Sequence, residues 1–356
     1  MPGSIPSLRD VAVHAGVSAM TASRVVRGLK GVKPATAERV HQAIEALGYR
    51  PDPLLTALAG RRKRKGHQVT SVSVALVTPG SDERVWRDQQ GFHATVCAAL
   101  KTAASFGYGV EFALGGDTLK SWERVLRMLF VRGVVGLFVP PVQIRVPEGI
   151  DWSPFSGVNL GYGVRRTGFD TVRHDNYQMV SLALDRLVHR GYQKIGVVLS
   201  SSEARTDYRV GGAALALGAW GGAVGKVLPP LMLDQPASLL SDVSRRKFLS
   251  WLRACAPDVI LSLHADILLG WLTDAGIGVP EDVGVAGLNL NADQETPGIA
   301  GVAISPGRVG SAAAEMLHSM VLHGRTGRPV AKQILCLDGF WQDGCSIRAV
   351  GPELAY

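Results

Sequence analysis

The chain has 356 residues, of which 46% are hydrophobic and 19% charged, so it can bury the cores of several domains and is not globally disordered. Its N-terminus, MPGSIPSLRD, lacks the apolar core of a signal peptide, and no run of about 18 apolar residues indicates a membrane span. The four cysteines show no metal-ligand spacing, so we expect a reduced, cytoplasmic compartment, no metal and no cofactor.

The positive charge is concentrated at the N-terminal end of the chain. The first 66 residues hold twelve Lys and Arg against four Asp and Glu, whereas the other 290 residues hold 26 of each sign. The whole formal net charge of +8 therefore lies in this first segment. Such asymmetry indicates a module that binds a polyanion, joined to a neutral body. A basic, solvated tail is the alternative interpretation of the charge alone.

Three short helices are predicted in the basic segment. The first begins after the N-cap Ser7, carries apolar residues at helical spacing and ends at Gly16. The second begins after the N-cap Ser18, and the third begins at Pro34. Two helices joined by a short turn that contains glycine form a helix-turn-helix, whose second helix enters the major groove of DNA.

The same segment carries a specific residue pattern. The pattern comprises Leu8-Arg9-Asp10-Val11-Ala12-Val13-His14-Ala15-Gly16-Val17-Ser18, then Thr21, Ser23-Arg24-Val25-Val26 and Gly48-Tyr49-Arg50-Pro51. It closely resembles the lactose-repressor (LacI/GalR) family of bacterial regulators. This resemblance implies that the segment binds operator DNA.

By this resemblance, six residues around the second helix contact DNA: Ser18, Ala19, Met20, Thr21, Ser23 and Arg24. Arg24 takes the position of a base-reading arginine, and its guanidinium can bind guanine through two hydrogen bonds. The alternative is a surface charge on the helix. Ala19 and Met20 take the two variable base-reading positions. Because Met20 is apolar, it contacts a thymine methyl group or contributes only shape.

Residues 53–67 look like the hinge helix of the family followed by a basic linker. Asp52-Pro53 supplies a suitable N-cap and first helical residue. By resemblance, Leu58 is the wedge that enters the minor groove and kinks the duplex, with Leu55 beside it. The alternative is that both leucines belong to an ordinary core. The run Arg61–Lys65 is a solvated linker that can also neutralise phosphates.

Beyond the linker, apolar runs typical of strands alternate with helical patterns. The runs are Val72–Val77, Val134–Val139, Ile195–Leu199, Val259–Leu263 and Val283–Leu288, and the helical patterns include Phe92–Ser105, Tyr177–Arg190 and Ile267–Ala275. This alternation predicts parallel sheets with helices on both faces and a ligand beyond the carboxyl ends of the strands. The resemblance continues in Phe169–Val172, Asp175-Asn176, Arg190–Gly196 and Val279–Gly287, and implies the fold of periplasmic sugar-binding proteins.

The predicted architecture is α/β with an all-α domain at its N-terminus. Residues 1–52 form the helix-turn-helix domain, 53–67 the hinge and linker, and 68–356 a periplasmic-binding-protein-like body of two doubly wound α/β subdomains. Subdomain one takes about 68–167 and 306–331, and subdomain two about 168–305 and 332–356.

Four residues are predicted to contact an effector in the body: Trp86, Arg209, His264 and Asn289. Arg209 matches an effector-holding arginine of the family and can bind hydroxyls or a carboxylate; a surface arginine is the alternative. Trp86 can stack on a sugar face or pack inside the protein. His264 stands where the family usually has Asn, and a purely structural role for it is equally open. Asn289 is placed just after the strand Val283–Leu288, where many family members have Asp.

The predicted function is a transcriptional repressor that binds double-stranded operator DNA as a homodimer. Its effector is a small molecule, a sugar or a sugar acid. The sequence contains no G-x-S-x-G, G-x-x-x-x-G-K-[ST], H-E-x-x-H or paired C-x-x-C motif, so we do not expect an enzyme. A sugar-binding protein that leaves DNA alone would need an export signal and would not need residues 1–60.

Overall fold

A computed structural model of the chain describes residues 8–26, 32–47, 72–82, 84–87, 90–141, 146–161, 167–200, 228–233, 241–292 and 298–349. Contacts divide the chain into two compact units, one that contains three N-terminal helices and one that contains the strands. The predicted hinge and linker, residues 53–67, lie outside the described residues.

The N-terminal unit contains the helices α1 (Leu8–His14), α2 (Ala19–Val26) and α3 (Pro34–Leu47). Each helix turns a small apolar face inward, and the shared core consists of Val11, Ala12, Ala15, Ala22, Val25, Val40 and Ala43. Because these side chains are short, the three helices can pack closely. All three helices were predicted, and each begins at the residue that its cap or proline indicates.

The second unit contains the remaining elements, except for the last residues of the helix Pro306–Leu322. Its helices are α4 (Arg84–Arg87), α5 (Gln90–Ser105), α6 (Leu119–Val131), α7 (Asn176–His189), α8 (Asp242–Cys255), α9 (Ala265–Asp274) and α10 (Pro306–Leu322). Its strands are β1 (Ser73–Pro79), β2 (Gly109–Gly116), β3 (Val134–Val139), β4 (Ser156–Leu160), β5 (Asp170–His174), β6 (Ile195–Ser200), β7 (Leu231–Leu233), β8 (Val259–Ser262), β9 (Gly284–Asn291), β10 (Ala300–Ile304), β11 (Ile334–Leu337) and β12 (Phe340–Gln342).

Within the described residues, the strands form two six-stranded sheets. Sheet one has the order β2-β1-β3-β4-β5-β11, and all its neighbouring strands are parallel. Sheet two has the order β7-β6-β8-β9-β10-β12, and β12 alone among these strands runs antiparallel to its neighbour. The first five strands of each sheet follow the same doubly wound order, in which the second strand lies outside the first.

Helices cover both faces of each sheet, as a doubly wound fold requires. In sheet one, α6 covers one face and buries Trp122 against it. On the other face, Leu317 of α10 lies so close to Gly136 of β3 that an added Cβ would contact it. In sheet two, α7 covers one face with residues such as Leu184, and α8 and α9 cover the opposite face. The predicted fold class is therefore confirmed.

The boundary between the subdomains differs from the prediction by one strand. The sequence predicted that the chain passes from subdomain one to subdomain two at residue 168, and does so a second time at residue 332. In the structure, β5 pairs with β4, and β11 pairs with β5, so both strands belong to sheet one. The two passages from sheet one to sheet two therefore come after His174 and after Leu337. Strand pairing between distant segments decides this point, and a local hydrophobic pattern does not record it.

Among the described residues, none of the helices combines the length and apolar character that crossing a membrane requires.

Candidate functional site

The turn between α1 and α2 fixes the start of the second helix. The Gly16 N–H donates to the Val13 carbonyl at 3.1 Å, and the Val17 N–H donates to the Ala12 carbonyl at 2.9 Å. These two bonds form a Schellman motif, which needs a left-handed residue after the helix. Gly16 fills this position with φ +62°. The sequence therefore encodes both the end of α1 and the direction in which the chain leaves it.

Ser18 caps α2. Its Oγ accepts a hydrogen bond from the Thr21 N–H at 3.1 Å and lies 2.9 Å from the Thr21 Oγ1. The cap satisfies one of the amide groups that the first turn of a helix leaves without a partner. The two hydroxyls share one hydrogen between them, so the second hydroxyl hydrogen can be donated outward. This pair can thus donate to a phosphate oxygen at the positive end of the helix dipole.

The side of α2 that faces away from the core carries the predicted DNA contacts. Ala22 and Val25 are buried in the three-helix core, whereas Ala19 and Arg24 are exposed. Met20 is 67% exposed, so its apolar side chain is not part of the three-helix core. One exposed surface therefore combines a guanidinium, an apolar side chain and a capping hydroxyl.

All eight predicted DNA contacts stay predictions, and the side chains of three of them lie outside the described part of the structure. Ser23 lies within α2, but its side chain is outside the described part of the structure. Leu55 and Leu58 both fall in the segment that the structure does not describe. Their roles stay predictions.

Sheet topology identifies where a ligand can bind in the body. In doubly wound sheets, ligands bind beyond the carboxyl ends of the strands, at the point where the strand order reverses. In sheet one this point lies between β1 and β3, and in sheet two it lies between β6 and β8. Trp86 comes after β1, Arg209 after β6 and His264 after β8. Three of the four predicted effector residues therefore follow strands that flank a switch point.

Trp86 is held by neighbours inside the protein. It is 3% exposed, and its indole Nε1–H donates to the Thr78 Oγ1 at 3.1 Å. Its ring lies nearly parallel to that of His93, with the centroids 6.2 Å apart, and the Arg87 guanidinium lies 5.4 Å from its centroid. The indole face thus has little area left for a sugar in this structure, which favours the packing alternative, and an effector contact by Trp86 stays a prediction.

His264 and Asn289 lie at one edge of sheet two. Ser262 of β8 pairs with Gly287 of β9, and each predicted residue comes two positions later. His264 is half-buried at the start of α9, and its N–H donates to the Ser262 Oγ at 3.1 Å. Asn289 is exposed and lies inside β9, which extends to Asn291, so its predicted place just after the strand is corrected. Arg209 lies outside the described residues.

Polar residues at the carboxyl end of β5 were not among the predicted effector contacts. His174 is half-buried there, and Asn176 is buried at the start of α7. Asp175 between them caps α7, because its Oδ1 accepts from the N–H groups of Tyr177 and Gln178 at 3.0 and 3.1 Å. The signal in the sequence was the polar run Arg173-His174-Asp175-Asn176, which directly follows Val172.

Two family models match the chain. Residues 7–52 match bacterial regulatory proteins of the lacI family, and residues 184–337 match the periplasmic binding protein-like domain. The first match contains α1–α3, and the second contains every strand of sheet two except β12. Together, the two matches span more than half of the chain.

Curated relatives are regulators. The HTH-type transcriptional regulator CelR of Thermobifida fusca is 28% identical over 299 residues, which cover 79% of this chain and 81% of CelR. The sucrose operon repressor of Escherichia coli is 46% identical over 149 residues, which cover 40% of this chain and 41% of the repressor.

Solved structures share the fold. The complex of the regulator CelR with cellobiose has a TM-score of 0.56 and 22% identity, and covers 96% of this chain and 99% of CelR. The lac repressor dimer bound to operator and the anti-inducer ONPF has a TM-score of 0.57 and 19% identity, with coverages of 97% and 100%. Residues 7–52 thus form a domain of the lacI family of bacterial regulatory proteins, and over most of its length the chain is related to transcriptional regulators such as CelR.

Proposed function

We propose that this protein is a repressor that binds a two-fold symmetric operator as a homodimer and changes its affinity when a sugar or sugar acid binds to the body. The observation that carries the proposal is the exposed front of α2, capped by Ser18 and held in a segment of net charge +8. The protein acts by binding and not by catalysis. A regulator of operator DNA works where the chromosome is, so we place it in the cytoplasm.

Sequence recognition is assigned to α2. Arg24 is exposed, and an arginine fork can bind the O6 and N7 of guanine in the major groove. The basic residues of the first segment supply the affinity that does not depend on sequence, because they neutralise phosphates and release counterions. The neutral body adds no such attraction, so contacts with DNA remain a property of the N-terminal segment.

The homodimer is supported by an apolar edge of sheet one. β2 is an edge strand, and its residues Phe112 and Leu114 are 53% and 41% exposed. They are two positions apart, so they lie on the same face of the strand. Exposed apolar residues on an edge strand are a site where another chain adds. A second copy of this chain is the partner that a two-fold symmetric operator requires.

Effector binding is assigned to the carboxyl edges of the two sheets. His264 and Asn289 offer polar groups on sheet two, and Arg209 is proposed to bind hydroxyls or a carboxylate. CelR is a relative whose solved structure contains cellobiose, which favours a sugar as the effector here. We propose that the ligand alters the relative position of the two sheets, and that the hinge around Leu58 transmits this change to the DNA contacts.

The proposal is tested by selecting duplexes from a random pool with the full chain, followed by a thermal-shift screen of sugars and sugar acids. We expect a single motif with two inverted halves, and a sugar that raises the melting temperature of wild type but not of Arg209→Ala. Enrichment of no motif at moderate ionic strength, with or without candidate sugars, would contradict the proposal. Equal stabilisation of both proteins by the sugar would contradict the assigned pocket.

A further inference from the structure

We infer that Met20 recognises the C5 methyl group of a pyrimidine in the major groove. The half-site then carries a thymine, or a 5-methylcytosine, where it faces the start of α2. The inference rests on the proposed function, because it presupposes that α2 lies in the groove. Of the two roles that the sequence left open for Met20, contact with a methyl group and a contribution of shape alone, we choose the methyl contact.

The location of Met20 distinguishes it from other exposed apolar residues. It is the second residue of α2 and is 67% exposed, while the inner face of the same helix is buried through Ala22 and Val25. The three-helix core therefore does not use its side chain. Ala19, the residue before it, is also exposed. The front of the recognition helix thus presents two adjacent side chains that are entirely apolar or nearly so.

Among the side chains that the structure describes, the polar groups near Met20 belong to the helix cap or lie one turn away along α2. The Ser18 Oγ accepts from the Thr21 N–H, and the two hydroxyls lie 2.9 Å apart, so this pair is partly used by the helix cap. Arg24 lies four positions after Met20, on the same side of the helix. Of the described side chains of α2, Arg24 is therefore the chief donor to base edges, and Met20 contributes through apolar contact.

The chemistry of the groove determines what Met20 can contact favourably. The thymine methyl is the one apolar group among the four base edges in the major groove. Guanine, adenine and cytosine present acceptors and donors there, and an apolar side chain would take water from these groups without replacing their hydrogen bonds. A 5-methylcytosine presents the same methyl group as thymine. The apolar contact with the methyl group is favourable, and it avoids the desolvation of a base donor or acceptor. Both effects therefore favour a methylated pyrimidine.

The test uses the full chain and the duplex obtained by selection. Each thymine is replaced in turn by uracil, which removes the methyl group and keeps the base pair. We expect one replacement in each half-site to weaken binding roughly fourfold, the effect of burying one methylene-sized group. In Met20→Ala, the same replacement should have no effect. At that position, 5-methylcytosine should bind wild type more tightly than cytosine by a similar factor.

Two variants control the experiment. Met20→Leu keeps an apolar side chain and should keep the dependence on the methyl group. Val13→Ala removes another exposed apolar side chain, 81% exposed on α1, and should leave the uracil profile unchanged. Identical uracil profiles in wild type and Met20→Ala, with tight operator binding by both, would overturn this inference alone. If the full chain selects no duplex, the proposed function fails, and this inference fails with it.

Discussion

Arg24 and the Ser18–Thr21 pair offer polar groups with different roles at the front of α2. The hydroxyl pair is tied to the helix by the hydrogen bond from the Thr21 N–H to the Ser18 Oγ. It therefore fixes the helix start and can donate to a phosphate, which carries no sequence information. Arg24 has the geometry to recognise a base edge. We therefore propose that specificity depends on Arg24 and that positioning depends on the hydroxyl pair at the start of α2.

Arg24→Ala should weaken operator binding roughly 5- to 150-fold while leaving non-specific binding nearly unchanged, because a lost bidentate base contact costs about 1–3 kcal/mol. The measurement is a titration of the operator and of a scrambled duplex at the same salt concentration. Arg9→Ala, which removes an exposed arginine on α1, is the matched control and should affect both duplexes equally. An equal loss on both duplexes for Arg24→Ala would refute base recognition.

Tyr192 links a loop of sheet two to the chain beyond β12. The Tyr192 hydroxyl accepts a hydrogen bond from the Arg348 N–H at 2.8 Å, and the Arg348 guanidinium lies 5.1 Å from the ring centroid. Burial raises the pKa of the Tyr192 phenol above its usual 10.0, although the bond from Arg348 acts in the opposite direction. The neutral phenol is therefore the form that the folded protein favours.

Tyr192→Phe should lower the free energy of unfolding by about 1 kcal/mol, since it removes one hydrogen bond and keeps the ring. The stability that Tyr192 provides is present below pH 10.0 and is lost as the pH rises through the raised pKa of the folded state. Urea unfolding at neutral pH and above pH 10.0 should show a steeper loss for wild type than for the variant. Parallel losses would show that the phenol does not contribute in this way.

At the scale of elements, the turn between α1 and α2 orients α2, to which we assign sequence recognition. A glycine is needed at residue 16 because φ is +62°, while the nearest atom to an added Cβ, the Arg39 Nη1, is 4.0 Å away. Backbone strain and not steric overlap is therefore the reason for glycine here. An L-residue in this conformation costs about 1–2 kcal/mol.

Gly16→Ala should reduce the hydrogen-exchange protection of residues 8–26 and weaken operator binding by a similar free energy. Gly270→Ala is the control of opposite sign, because Gly270 lies inside α9 with nothing within 4 Å of an added Cβ. That substitution should stabilise its helix by about 0.5–1 kcal/mol. Unchanged protection of residues 8–26 in Gly16→Ala would contradict the role of the turn.

The sequence predicts central strands better than edge strands, because only central strands are continuous apolar runs. Central strands such as β3 are continuous apolar runs, and its predicted bounds, Val134–Val139, agree with the structure. The edge strand β2 was not predicted, because its residues are mostly half-buried or exposed and both its ends carry glycine. The sheet to which β5 and β11 belong depends on pairing between residues 170–174 and 334–337, which no local pattern encodes.

The candidate site shows the same division. Caps, the glycine turn and the exposed face of α2 follow from local spacing, so the helix pair around Ser18 was predictable. The partners of Trp86, which are Thr78 and His93, follow from packing and were not. That His264 lies at the switch point could be recognised only once the strand order was known. The contacts proposed for Leu58 and Arg209 stay predictions.

At the scale of the whole molecule, two sheets of the same strand order form a body that can bind a small molecule at their carboxyl edges. The chain passes from sheet one to sheet two after β5, and β10 and β11 belong to different sheets. Movement of one sheet relative to the other therefore involves several connecting segments. This arrangement suits a switch in which a ligand selects between two relative positions of the subdomains.

Phe112→Lys should shift the protein from dimer to monomer, because it places a charge on the apolar edge strand that we assign to the dimer contact. Sedimentation velocity measures the change, and operator affinity should fall because two half-sites are no longer bound together. Val330→Lys removes a fully exposed apolar side chain elsewhere and should leave the dimer intact. A Phe112→Lys protein that stays dimeric would place the contact elsewhere.

The most direct measurement is the affinity of the full chain for its selected operator and for a scrambled duplex, with and without the sugar found by thermal shift. We predict that the operator binds at least about 1,000-fold more tightly than the scrambled duplex. The sugar should change operator affinity by roughly 5- to 150-fold and leave scrambled binding unchanged. Equal affinity for both duplexes under all these conditions would contradict the account.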